Sequence, residues 1–160
     1  FEETRRVTCR HDPSQRAFIW TWSTRLLALR DLHLVQSQWS HALADGSKVN
    51  YHGLGLRLRR DFGGMTRNHE LHIDGEVTRE HFQSRMGARP GSVAFIGSLD
   101  ETWPVERAGV RFQQPVGQQN TLYVMEDYIP FMALGPTNDA PRRLKADDVL
   151  EERYTVTVFD

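Results

Sequence analysis

The sequence predicts an all-β protein, a single antiparallel β-sandwich over residues 1–160. Two observations predict it: turn-forming dipeptides recur every few residues, and the runs between them alternate apolar and polar side chains at period two. Asp45-Gly46, Gly63-Gly64, Asp74-Gly75, Arg89-Pro90-Gly91, Trp103-Pro104, Gly135-Pro136 and Ala140-Pro141 cut the chain into segments that suit strands better than helices.

The elements follow in chain order. Ala17 to Trp22 sets Phe18, Trp20 and Trp22 against Ile19, Thr21 and Ser23, a strand whose aromatic face is expected in the core. Leu32 and Leu34 alternate with Asp31, His33 and Val35. From Leu54 the chain alternates Leu54, Leu56 and Leu58 with Gly55, Arg57 and Arg59, placing a leucine row on one face and glycines with guanidiniums on the other. Asp74-Gly75 lies between β-compatible flanks, the pairing that favours a type I′ hairpin. Residues 78–86 are expected to make a helical turn or two capped by Thr78 and stopped by Gly87 and Pro90. Further strands are expected in SVAFIGSL, GVRFQQ and NTLYVMED. The closing RYTVTVFD sets Tyr154, Val156 and Val158 against Thr155, Thr157 and Phe159, and KADDVLEE before it suits a helix and an extended connector equally.

A chain of 160 residues can bury roughly 70% of its unfolded surface in one core. Its 20 Lys+Arg balance 21 Asp+Glu, which offers no bulk attraction to nucleic acid or to an anionic membrane, so neither is an expected partner. The single cysteine, Cys9, excludes an intrachain disulfide and a Cys-rich zinc site, and is expected to be a free thiol. No apolar run reaches the ~20 residues of a membrane span, and nothing at the start reads as a signal peptide, so a cytoplasmic location is expected.

The richest candidate site is the basic strand. Gly53 and Gly55 thin the face that also presents Tyr51, Arg57 and Arg59, so a ligand could lie against backbone with an aromatic ring at one end and forked donors at the other. Such a face suits a carboxylate, a phosphate or sugar hydroxyls; the competing reading covers the glycines with a large aromatic and pairs the arginines with surface acids. His69 and His72, three apart around Glu70, would point to opposite faces of a strand, so no metal site is assigned to them. His52 is read either as a hydrogen-bonded edge histidine or as a catalytic one. Glu126 and Asp127 fall on opposite faces, so one at most joins a given cleft, and Trp103 is placed at the rim of a site.

The segment YHGLGLRLRRDFGG, the strand VAFIGSL and the stretch PFMALGPTNDAPRRLKADDVLEERYTVTVFD, in this order, resemble the closing half of a bacterial β-sandwich family labelled PmoA-like. The resemblance covers about residues 50–160. It implies part of a galactose-mutarotase-like supersandwich and a carbohydrate-linked role; the methane-oxygenase activity in the label belongs to a membrane complex and is set aside. Relatives carry a comparable length upstream with a His-rich HH-x-GLW motif, which this chain lacks. By the same analogy, acid–base chemistry would use a carboxylate, Glu126, with a histidine, His52 or His72, while Tyr51, Arg57, Arg59 and Trp103 hold the ligand. No cofactor is expected. The expectation is therefore a protein that binds a small-molecule carbohydrate, a sugar or sugar acid. The alternative is a non-catalytic module that self-associates into a homo-oligomer through sheet edges or an exposed core face.

Overall fold

A computed structural model describes residues 1–58, 62, 69–79, 81–99, 106–126 and 130–160. The strands are β1 (Glu2–Asp12), β2 (Ala17–Leu27), β3 (Leu32–Leu34), β4 (His41–Ala42), β5 (Lys48–Val49), β6 (Leu54–Arg57) and β7 (His69–Ile73). They continue with β8 (Glu76–Thr78), β9 (Ser92–Leu99), β10 (Glu106–Gln113), β11 (Thr121–Met125), β12 (Phe131–Gly135), β13 (Arg142–Leu144) and β14 (Val149–Phe159). Seven of them form one antiparallel sheet in the order β1-β2-β14-β10-β9-β7-β8, and β11-β12-β6 form a second. The fold is the antiparallel β-sandwich that the alternation predicts.

The core lies between these two sheets. Leu71, Val93, Phe95, Val110 and Phe112 point inward from the large sheet, and Leu122, Val124, Met132 and Leu134 from the small one. Each fully buried Leu or Phe contributes roughly 1.5–3 kcal/mol, so this cluster dominates the stability. The leucine row of β6 falls where its period places it: Leu54 and Leu56 register with Leu134 and Met132 and pack on the core. A ribbon of β3 with β13 closes a small second cluster of Ala28, Leu144 and Leu150 at one end.

Asp74 and Gly75 both take positive φ, 50° and 90°, between the paired β7 and β8, as a type I′ turn requires. The segment expected to be a helix capped by Thr78 differs. Thr78 ends β8, and only a 3-10 turn forms, at Phe82–Arg85, entered through His81 in the left-handed region. Its purpose is packing: Phe82 is fully buried against Phe95 and His69. Residues 145–148 take neither the helix nor the extended form: they make a tight turn, closed by the Asp148 N–H on the Lys145 carbonyl at 3.1 Å with Asp147 at φ 70°, that leads into β14.

The aromatic row of β2 is a second correction. Phe18, Trp20 and Trp22 do share the inward face, yet Phe18 is 52% and Trp20 40% exposed. The large sheet extends past the small one, so nothing among the described residues buries its inner face at Phe18 and Trp20, while Trp22 packs against the core. Period two sorts side chains to a face; it does not say whether a second layer lies over it. β1 itself, exposed along nearly its whole length, has no apolar alternation to announce it.

Candidate functional site

Where the two sheets part company they leave a cleft of about 650 Å³. Its floor belongs to the large sheet. The inward alternation Tyr154, Val156, Val158 continues backward to Glu152, and the register sets Glu152 beside Thr24 and Tyr154 beside Trp22. On the next strand out, Arg5 faces Thr24. The opposite wall is β6, the edge strand of the small sheet, whose outer backbone groups join no ladder among the described residues; Gly53, Leu54 and Gly55 line the cleft, with Pro136 and Thr137 beside them. His33, Leu34 and Val35 close the end.

Glu152 is the chemically distinctive group. Burial raises its pKa above the usual carboxylate range, while hydrogen bonds from Tyr154 and Asn120 and the charge of Arg142 pull the other way. Both hydrogen bonds fall on Oε2: the Tyr154 hydroxyl at 2.7 Å and the Asn120 amide. Oε1 makes no hydrogen bond among the described residues. The phenol of Tyr154 is pushed up by its own burial and by the negative charge of Glu152. It also accepts from Asn120 Nδ2 at 2.5 Å and lies 3.1 Å from the Leu134 carbonyl oxygen.

The rest of the lining is polar and aromatic. The Trp22 indole donates to Thr24 Oγ1 at 3.3 Å, and the Arg5 guanidinium stands 5.4 Å from the Trp22 ring centre. Glu3 holds Arg5 at 2.5 Å. Across the cleft, His52 Nδ1 is 3.5 Å from the Thr137 hydroxyl. A desolvated carboxyl, an imidazole, two hydroxyl side chains and an indole thus converge on one space, the composition expected of a small-molecule site.

The residues singled out in the sequence are not gathered together. Of those within the described residues, His52 lines this cleft together with the backbone of Gly53 and Gly55. Tyr51 and Arg57 lie on the outer face of the small sheet, where Tyr51, Tyr123 and Phe131 stack edge to face. The space over Gly55 is filled: a Cβ there would sit 2.8 Å from the Phe131 ring. A ligand cannot lie on that outer face of Gly55, so the covered-glycine reading holds there. Arg57, level with Phe131, is exposed and makes no ion pair among the described residues. Arg59, Trp103 and Asp127 lie outside the described residues.

Glu126 does meet a histidine, but the partner is His69, with Oε2 3.6 Å from its Nε2. The backbone N–H of Phe82 donates to Glu126 Oε1 at 3.3 Å. His72 is on the other face of β7, bonded to Glu70 at 3.0 Å beside Arg79 and Arg107. Strand alternation separates His69 from His72 as the spacing predicts. The pairing of Glu126 with His52 or His72 is replaced by a local contact that pins the 3-10 turn to β7. Among the described residues no group of three or more His, Cys, Asp or Glu is arranged to hold a metal ion.

Glu152, Tyr154, Trp22 and Thr137 were not read from the sequence as site residues. One signal was present: Glu152 is an acid at an inward position of an otherwise apolar and aromatic alternation. No family model, curated protein or solved structure matches this chain.

Proposed function

We propose that the protein binds a small sugar or sugar acid in the cleft between β6 and the inner face of β2 and β14. The observation that carries this is the Glu152 carboxyl, desolvated, held by Tyr154 and Asn120 through one oxygen, and lined up with Trp22 on a common floor. A sugar presents C–H faces that stack on an indole and hydroxyls that need both donors and acceptors. Trp22 supplies the first; Glu152, Thr24, Thr137, His52 and the edge backbone of β6 supply the second. Arg5 at the mouth suits the carboxylate of a sugar acid.

Proton transfer extends the same reading. Ring opening of a hemiacetal needs one group to take a proton from the anomeric hydroxyl and another to give one to the ring oxygen. A carboxyl with a raised pKa on the floor and an imidazole on the opposite wall answer that need, with Glu152 in the role the family resemblance suggested for Glu126.

A thermal-shift series with neutral sugars, sugar acids and their methyl glycosides tests the binding. At about a hundred times its dissociation constant a ligand adds ~2.7 kcal/mol, which raises the melting temperature by roughly 5–10 °C for a domain of this size. The expected result is a shift with one sugar class that Trp22→Ala removes and Arg57→Ala preserves. A shift removed by Arg57→Ala instead would move the ligand to the outer aromatic face, and no shift with any sugar would overturn the proposal.

A further inference from the structure

Among the described residues β1 is the edge of the seven-stranded sheet, eleven residues long and exposed along nearly its whole length. A free edge of this length presents unpaired backbone donors and acceptors to any other strand. Charged side chains on an edge ordinarily prevent such pairing, because like charges meet like. The charges of β1 are ordered differently: Glu2 and Glu3 precede Arg5 and Arg6, with Thr4 between. An antiparallel copy reverses that order.

In a two-fold pairing by an axis perpendicular to the sheet, opposed residues share a face, so one residue must face itself. With Thr4 at the axis, Glu2 faces the partner's Arg6, Glu3 faces the partner's Arg5, Thr4 faces the partner's Thr4, and Phe1 faces the partner's Val7. Each unlike pair occurs twice. Moving the axis to Arg5 sets arginine against arginine, moving it to Arg6 does the same while pairing Glu2 with the partner's Arg10, and moving it to Val7 sets Glu2 against the partner's Asp12. The Thr4 register thus sets four unlike pairs and no like pair, more than any neighbouring register does.

The inner face adds an apolar term. Val7, 40% exposed, points to the same side as Trp22, with which it registers across β1 and β2, and Phe1, just before the strand, is 65% exposed. The Thr4 register extends that row with the partner's Phe1, beside the exposed Val7. We propose that two copies of this chain pair antiparallel through β1 about Thr4, joining their large sheets into one continuous sheet. The partner occupying this edge is a second copy because the charge order of β1 complements its own reversal, with the most unlike pairs in that register.

Glu2 and Arg6 lie on the face opposite the cleft, so their exchange tests the interface without touching the ligand site. Sedimentation velocity across a concentration series is expected to show a reversible dimer that weakens at high salt. Glu2→Arg or Arg6→Glu alone turns two attractive cross-strand pairs repulsive and weakens association by about tenfold or more. The combined exchange Glu2→Arg with Arg6→Glu restores the dimer. Thr4→Cys in a Cys9→Ser background is expected to cross-link on mild oxidation, since opposed strand residues stand at disulfide distance. A wild-type chain that stays monomeric up to its solubility limit overturns the proposal. So does a dimer indifferent to both charge reversals, or a combined exchange that folds normally and remains monomeric.

Discussion

The hydroxyl of Tyr154 lies 2.7 Å from the carboxylate of Glu152, two residues earlier on the same strand, and both side chains face the cleft floor. Period two makes them neighbours on one face, and the small sheet above keeps water from solvating them fully. The consequence is an acid that resists ionisation and a phenol that resists it more.

The pH dependence of Glu152 has a definite sign. Its folded pKa is raised above the unfolded value near 4.3. The group therefore costs no stability below about pH 4, and its contribution falls as pH rises through the folded pKa. Glu152→Gln keeps an acceptor for Tyr154 and carries no charge to desolvate. Melting temperatures measured from pH 4 to 8 are expected to show the variant gaining on the wild type as pH rises. A difference that stays flat with pH would remove the desolvated carboxylate from the account.

Glu70 provides the opposite sign in the same experiment. Its hydrogen bond with His72, opposed by burial and supported by the charges of Arg107 and Arg79, holds its carboxyl below the usual range. That stability is present above the unfolded pKa and lost as pH falls through the folded one. Glu70→Gln is expected to be less stable than wild type at pH 7, with the gap closing in acid.

Tyr154→Phe leaves Glu152 and the buried Asn120 amide short of a partner each. An unsatisfied buried polar group costs about 1–3 kcal/mol, and urea denaturation is expected to report a loss in that range. A near-neutral result would mean that water enters the cleft and replaces the hydroxyl.

Two neighbouring glycines are expected to differ. Gly53 has φ +89°, and a Cβ there would overlap the Leu134 carbonyl oxygen and the Gly135 backbone, which cannot yield. At Gly55 the obstacle is the ring of half-buried Phe131, which can rotate away. Gly53→Ala should therefore cost several times what Gly55→Ala costs, on the order of 3 kcal/mol against 1. Equal costs would show that the β6 approach to β12 is looser than the geometry states.

The sequence by itself determined the strands whose side chains carry a pattern. Asp74-Gly75 gave a turn because positive φ at two successive residues leaves few other choices. Leu54 and Leu56 faced inward because their period is that of a strand. His69 and His72 were separated for the same reason, without any knowledge of what lay around them.

The tertiary structure decided everything that depends on which layer lies over which face. Phe18, Trp20 and Trp22 have the pattern of a core, but the small sheet does not reach Phe18 or Trp20. Gly55 has the pattern of an open platform, but Phe131, more than seventy residues later, fills it. Glu126 found His69 because the 3-10 turn at Phe82 packs between β7 and β11. The cleft joins β1, β2, β3, β6 and β14 with the turn after β12, and its floor carboxyl is unusual only because of the depth at which it lies. Periodicity assigns a side chain to one of two sides; burial, partners and the resulting acidity are set by residues distant in the chain, which local pattern does not encode.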